Sequence, residues 1–133
     1  MTSIIGSDLD GVICWNRENV AKYRPFRKYE WYKKCLPTIY SKYSFDYVIT
    51  GRRIHFKRIT LKWLESNNVQ YKHLIMFPNR VKRNNRSLAI YKAHKINELN
   101  VDIYLEDDER IAEFLRDYCP NCEVVLIIID DND

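Results

Sequence analysis

Apolar runs and helically spaced apolar stripes alternate along the chain. The first run, Ser3-Ile4-Ile5-Gly6-Ser7, reads as a buried strand that stops at Asp8-Leu9-Asp10-Gly11-Val12, where a glycine permits a sharp turn. From Cys14 to Tyr43 aromatic and basic residues intermingle, punctuated by Pro25 and Pro37. This tract reads as a loop to about residue 26, a helix over about 27–35 and a shorter helical piece to 43. Residues 45–50 predict a second strand ending at Gly51. In the following segment Phe56, Ile59, Thr60, Trp63 and Leu64 recur at helical spacing, and Asn67-Asn68 closes that helix.

Residues 71–77 predict the third strand, and 78–86 a polar, basic loop with Asn84, Asn85 and Ser87 as cap candidates. A helix over about 87–99 follows, with Leu88, Tyr91, Ile96 and Leu99 as its inward stripe. Lys92 falls on that stripe, where a lysine requires a partner for its amine. Residues 101–105 predict the fourth strand, Glu106-Asp107-Asp108 an acidic turn, 109–118 a helix with an acidic first turn, and 123–129 a fifth strand buried on both faces. This alternation predicts an α/β fold: a parallel sheet with helices on both faces, joined by right-handed crossovers. Ligands bind such sheets beyond the carboxyl ends of the strands. Asp8 with Asp10, Thr50 with Gly51 and Arg52, and Glu106 with Asp107 and Asp108 all fall at strand ends, so one rim collects them.

Composition adds bounds. A chain of 133 residues, 46% hydrophobic and 30% charged, suits one globular domain over 1–133 and excludes a repeat or low-complexity architecture. The formal charge of +4 is unevenly spread: residues 22–34 and 80–86 are basic, whereas 106–109 and 130–133 are acidic. That asymmetry suits an anionic substrate bound at an acidic site through a metal. No leader-like opening and no apolar stretch of membrane-spanning length is present, which predicts a soluble, cytoplasmic protein with no membrane partner. Cys14, Cys35, Cys119 and Cys122 fit that compartment as free thiols, although Cys119-Pro120-Asn121-Cys122 is also compatible with a local disulfide or, lacking a second pair, with an incomplete zinc site. Asp130, Asp131 and Asp133 read as a solubilising tail.

The paired aspartates suit a reaction with two carboxyl roles, Asp8 as nucleophile and Asp10 as acid and base. The same four residues, Asp8 to Gly11, also suit a plain Asx turn. With Asp107, Asp8 offers the oxygen ligands that a hard cation such as Mg²⁺ prefers. Lys92 would neutralise charge on Asp8 and on a transferred phosphoryl group, and the Thr50 hydroxyl with nearby backbone amides would bind its oxygens.

The four stretches Asp8-Leu9-Asp10-Gly11-Val12, Val48-Ile49-Thr50-Gly51-Arg52, Lys92 and Leu105-Glu106-Asp107-Asp108 occur in order. In this the sequence resembles the haloacid dehalogenase superfamily of phosphohydrolases over about residues 3–118. The resemblance implies a three-layer Rossmann-like fold with a mainly parallel five-stranded sheet flanked by helices, a magnesium ion, and an aspartyl-phosphate on Asp8. It assigns catalysis to Asp8, Asp10, Thr50 and Lys92. Metal ligation goes to Asp8, the Asp10 carbonyl and Asp107, and substrate binding to Gly51, Arg52 and Arg83. Glu106 would act through metal-bound water; Asp108 replaces Asp107 if the register slips, and Lys95 competes with Lys92. The segments are too short for a cap domain, so the site would be open. The stretch from Thr50 to Leu64 resembles the nucleotidase and polynucleotide-phosphatase branches. The implied substrate is a nucleotide or a nucleic-acid terminal phosphate, with Arg80, Lys82, Arg83 and Arg86 along a backbone and Trp15, Tyr23 or Tyr29 as stacking faces. A phosphatase for a small sugar or other phosphorylated metabolite, and a non-catalytic nucleic-acid-binding module on the same fold, are the alternatives. Nothing in the sequence specifies an oligomeric state.

Overall fold

The apolar run before Asp8 yields a strand of only three residues, β1 (Ile5–Ser7), yet that strand occupies the centre of the sheet. In the computed structural model, which describes residues 2–15 and 28–129, β2 (Ser44–Arg53) and β4 (Ile103–Glu106) flank it. Outside them lie β3 (Gln70–Phe77) and β5 (Glu123–Leu126), giving the order β3-β2-β1-β4-β5. All four pairings are parallel. The helices are α1 (Lys28–Lys34), α2 (Lys57–Ser66), α3 (Asn85–Glu98) and α4 (Glu109–Tyr118). One-turn 3-10 helices at Ile39–Lys42 and Ile54–Phe56 precede β2 and α2.

Two apolar layers enclose the sheet. On one face Trp31 from α1, Cys35 just beyond it, and Trp63 and Leu64 from α2 pack against Leu9, Phe45 and Val48. On the other, Leu88, Ala93, Ile96, Ile111 and Leu115 from α3 and α4 pack against Ile49, Phe77 and Tyr104. The result is the three-layer α/β arrangement expected from the alternation of elements, and no described element adds a domain over the carboxyl edge of the sheet. No helix among the described residues is long and apolar enough to cross a membrane.

Several boundaries differ from the sequence expectation. The helix after the basic loop starts at Asn85, not 87, because Asn84 caps it: its side chain accepts from the Ser87 amide at 2.8 Å while the Ser87 hydroxyl accepts from the Asn84 amide at 3.0 Å. Lys92 therefore sits two turns into α3. The fifth strand ends at Leu126 and lies at the sheet edge, so it is not doubly buried. Ile127 still donates to the Glu106 carbonyl at 2.8 Å, whereas Ile128 is 79% exposed. β2 runs past Thr50 to Arg53, through an irregularity in its pairing with β3. The four cysteines are free thiols, and Cys14, Cys35 and Cys119 are buried. The loop expected up to residue 26, and Asp130, Asp131 and Asp133, lie outside the described residues.

Leu64 is fully buried beneath α2, so Leu64→Ala is expected to cost about 2–5 kcal/mol. Ile128→Ala, beyond the end of the sheet, should stay within about 0.5 kcal/mol of the parent. Urea midpoints at constant slope measure both.

Candidate active site

The end of β1 is held from both sides. Asp8 donates its amide to the Leu105 carbonyl at 2.9 Å, so the residue is anchored on β4 as the strand stops. The chain then coils tightly, with the amides of Val12, Ile13 and Cys14 all directed at the Leu9 carbonyl. Residues 36–38 pin this coil: Trp15 donates to the Leu36 carbonyl at 3.0 Å, Thr38 to the Ile13 carbonyl at 2.9 Å, and the Thr38 hydroxyl to the Val12 carbonyl. Gly11 takes φ +90°, and a Cβ there would come within 1.9 Å of Asp107 Oδ2. Only glycine lets the Asp107 side chain lie over the coil.

Lys92 reaches this point from α3 and is 1% exposed. Its amine lies 2.7 Å from Glu106 Oε1 and 3.2 Å from Asp8 Oδ2, and the other Asp8 oxygen accepts from the Leu9 amide at 2.8 Å. Glu106 Oε2 accepts from the amides of Asp107 and Asp108, both at 3.1 Å. Burial works against the lysine's charge, but Asp8 and Glu106 outweigh it and hold the amine protonated. Burial also opposes ionisation of Glu106, and Lys92 overcomes it, so this carboxyl sits below the usual range. Asp8 goes the other way. Burial pushes its carboxyl well up against the pull of Lys92, and Glu106, Asp107 and Asp10 add to the rise.

Asp10 belongs to a second ion pair. Arg52 donates from Nε to Oδ2 at 2.9 Å and from Nη2 to Oδ1 at 2.8 Å, a bidentate fork. Arg52 also donates to the Thr60 hydroxyl at 3.2 Å and lies 3.9 Å over the Tyr32 ring. Its Nη2 lies 3.6 Å from Cys14 Sγ and 3.7 Å from Cys35 Sγ, while Cys14 Sγ is 3.3 Å from Asp10 Oδ1. Burial alone would raise the Asp10 carboxyl, but Arg52 holds it below its usual range. Burial pushes the Cys14 thiol well up, and the hydrogen bond between the two thiols holds Cys35 down.

An irregular register delivers Arg52. Thr50 and Arg53 pair with Met76 and Phe77, which are consecutive on β3, so Gly51 and Arg52 are extra residues on β2. A bulge of this kind re-aims a side chain at a sheet edge. Gly51 makes room for it, since a Cβ there would stand 2.9 Å from Leu88 Cδ2 and 3.0 Å from Arg83 Nη2.

The rim thus unites Asp8, Asp10, Thr50, Lys92, Glu106 and Asp107. Arg52, assigned above to substrate, is instead 1% exposed and committed to Asp10. Glu106 grips Lys92 directly. Asp108 accepts from the Ile111 amide at 3.0 Å as the N-cap of α4. Lys95 lies a turn further along α3 and meets Glu98 at 3.5 Å. Thr50 is buried, its hydroxyl accepting from the Arg52 amide at 3.1 Å. Arg83 is exposed and donates to the Gly51 carbonyl at 2.7 Å; Arg80, Lys82 and Arg86 are exposed as well. Tyr29 is exposed on α1, Trp15 is half-buried, and Tyr23 lies outside the described residues. Sequence reasoning missed Cys14, Cys35, Tyr32 and Thr60 as the ring around Arg52. The only signal was Thr60, a hydroxyl on the apolar stripe of α2.

Carboxylate oxygens of Asp8, Glu106 and Asp107 lie within 4.8 Å of one another, so this buried acidic cluster can hold a metal ion. The donor set is all oxygen, which suits a hard divalent cation. The charge balance fits as well: four carboxylates, counting Asp10, face the two buried cations Lys92 and Arg52. Glu106 already spends three acceptor positions on Lys92 and two amides, so Asp8 and Asp107 are the better-placed ligands.

No family model and no curated protein matches this sequence. Among solved structures, the chain is similar to one in the Pnkp1/Rnl/Hen1 RNA repair complex, with a TM-score of 0.73 over 97% of this chain at 16% identity. The chain spans 43% of the length of that one. At this identity the likeness concerns the fold.

Arg52→Leu strands the Asp10 carboxylate and is expected to cost about 3–5 kcal/mol in chemical denaturation. Gly11→Ala forces the Asp107 side chain aside, and should weaken binding of a divalent cation by calorimetry about tenfold or more while the far-ultraviolet spectrum stays native.

Proposed function

We propose that this chain is a magnesium-dependent phosphomonoester hydrolase of the haloacid dehalogenase type. It would work through an aspartyl-phosphate on a nucleotide or a nucleic-acid terminal phosphate. The observation that carries this reading is the position of Asp8 on the carboxyl rim of the sheet, 3.2 Å from Lys92 and with a carboxylate oxygen within 4.8 Å of one of Asp107, beside an Asp10 clamped by Arg52.

Asp8 attacks phosphorus, forming an oxygen–phosphorus bond as the bond to the leaving oxygen breaks. Lys92 stands 3.2 Å from Asp8, where its fixed charge meets both the nucleophile and the incoming phosphoryl oxygens. A divalent cation, if held by Asp8 and Asp107, would supply the further positive charge that keeps Asp8 ionised and lets one anion approach another. Glu106 keeps the lysine amine in place. Asp10 gives a proton to the leaving oxygen, then takes one from the water that attacks phosphorus and frees Asp8 with inorganic phosphate. Arg52 orients both Asp10 oxygens and favours the ionised form needed in the second step; an anionic ester drawing near favours the protonated form needed in the first. The fold of the RNA-repair chain and the exposed arginines at 80, 83 and 86 support a substrate from the nucleic-acid class.

Phosphate release from an aryl phosphate in Mg²⁺ is expected for the parent, with a loss on the order of 10³-fold or more in Asp8→Asn and in excess chelator. Equal release by Asp8→Asn would remove the nucleophile. Salt-dependent oligonucleotide binding without any release would favour a binding module on this fold, and faster release from sugar phosphates than from nucleotides would favour a metabolite phosphatase.

A further inference from the structure

Two of the helices are markedly basic. Together α1 and α2 carry six lysines and arginines against two glutamates, a surplus of four that equals the +4 of the whole sequence. All remaining residues balance among themselves. Between these helices runs a groove of about 650 Å³. Lys33 and Lys34 line one side, Arg58 and Lys62 the other, with exposed Tyr29 on the α1 side and buried Cys35 among the lining residues. None of the described lining residues is acidic. Lys34 meets Glu30 at 3.4 Å, an exposed pair that leaves the local surplus in place.

The buried floor of the groove reaches the guanidinium that clamps Asp10. Cys35 Sγ lies 3.7 Å from Arg52 Nη2, and that nitrogen lies 2.8 Å from Asp10 Oδ1. One side chain thus separates the groove wall from the proposed acid and base.

We propose that the groove between α1 and α2 holds the sugar-phosphate chain of a single-stranded nucleic acid whose terminal phosphate lies at Asp8. This rests on the phosphatase reading above and narrows its substrate to a polynucleotide. A free mononucleotide bearing a single phosphate would place it at Asp8 and leave the four groove cations unused. A strand brings successive phosphates past them: Arg58 and Lys62 are one turn apart on the same face of α2, with Lys33 and Lys34 opposite. Tyr29 adds an exposed ring for base stacking, which tolerates any sequence.

The test is fluorescence anisotropy of a labelled single-stranded oligonucleotide of about twelve nucleotides, titrated with the full chain in chelator at several salt concentrations. Arg58→Glu, Lys62→Glu and Lys33→Gln change exposed side chains, and circular dichroism checks that each variant is folded. Arg110→Glu, on the exposed face of α4 in the opposite helical layer, changes net charge as much as either glutamate variant. The expected result is about tenfold weaker binding for each glutamate variant, a smaller loss for Lys33→Gln, a salt slope lowered by about one per lost phosphate contact, and Arg110→Glu within about twofold of the parent. Equal losses in Arg110→Glu, unchanged binding in the groove variants, or equally tight binding of polyglutamate of matched charge would overturn the proposal. Because the assay needs no turnover, it reads the groove separately from the aryl-phosphate assay, whose failure would count against Asp8 chemistry alone.

Discussion

A lysine amine buried between two carboxylates is the constraint on which the rest of the structure depends. Lys92 has essentially no contact with water, so its charge is tolerable only because Glu106 and Asp8 stand at 2.7 and 3.2 Å. Those distances fix α3 against the ends of β1 and β4 at once. Glu106 is in turn fixed by two backbone amides, so the turn after β4 cannot shift without releasing the lysine. The second buried cation, Arg52, does the same for β2 by tying its bulge to Asp10. Electrostatics and topology therefore enforce one another: strand ends meet because charges must be paired, and charges pair because a parallel sheet brings its strand ends to one rim.

Much of this was legible in the sequence, for identifiable reasons. Alternating strands and helices announced the parallel sheet, and Lys92 stood out as a charge on an apolar helical stripe. Arg52 was misassigned because neither signal reaches it. Its partner lies 42 residues away, and a bulge that adds two residues to one strand leaves no periodic trace. Cys35 and Tyr32 gave no sign of their place beside that guanidinium. The fifth strand was overextended because six apolar residues in a row, Val124 to Ile129, look alike whether they lie at the centre of a sheet or run off its edge. At the start of α3 the asparagines and serine were recognised as cap candidates, but composition does not say which one caps; the reciprocal bonds of Asn84 and Ser87 decide it.

The two faces of the molecule are chemically unlike. The helices α3 and α4 cover one side with a nearly charge-balanced surface, whereas α1 and α2 concentrate the positive surplus on the other. Acidic groups instead gather at the rim, where strand ends converge. A polyanion approaching this molecule meets attraction along one flank and repulsion at the mouth of the rim unless cations screen the carboxylates. The same field that recruits such a ligand thus makes its last few ångströms depend on a counter-charge.

The position of β1 has a thermodynamic consequence. Its three residues are bonded to neighbours on both edges and covered by helices on both faces, so the segment bearing Asp8 cannot open alone. Local fluctuations that loosen outer strands or surface loops leave it untouched, and it becomes disordered only when the whole architecture melts. Occupancy of this site and resistance of the entire chain to denaturation are therefore coupled quantities: whatever ion or ester settles there strengthens the cohesion of the native state by an amount set by its concentration relative to its dissociation constant.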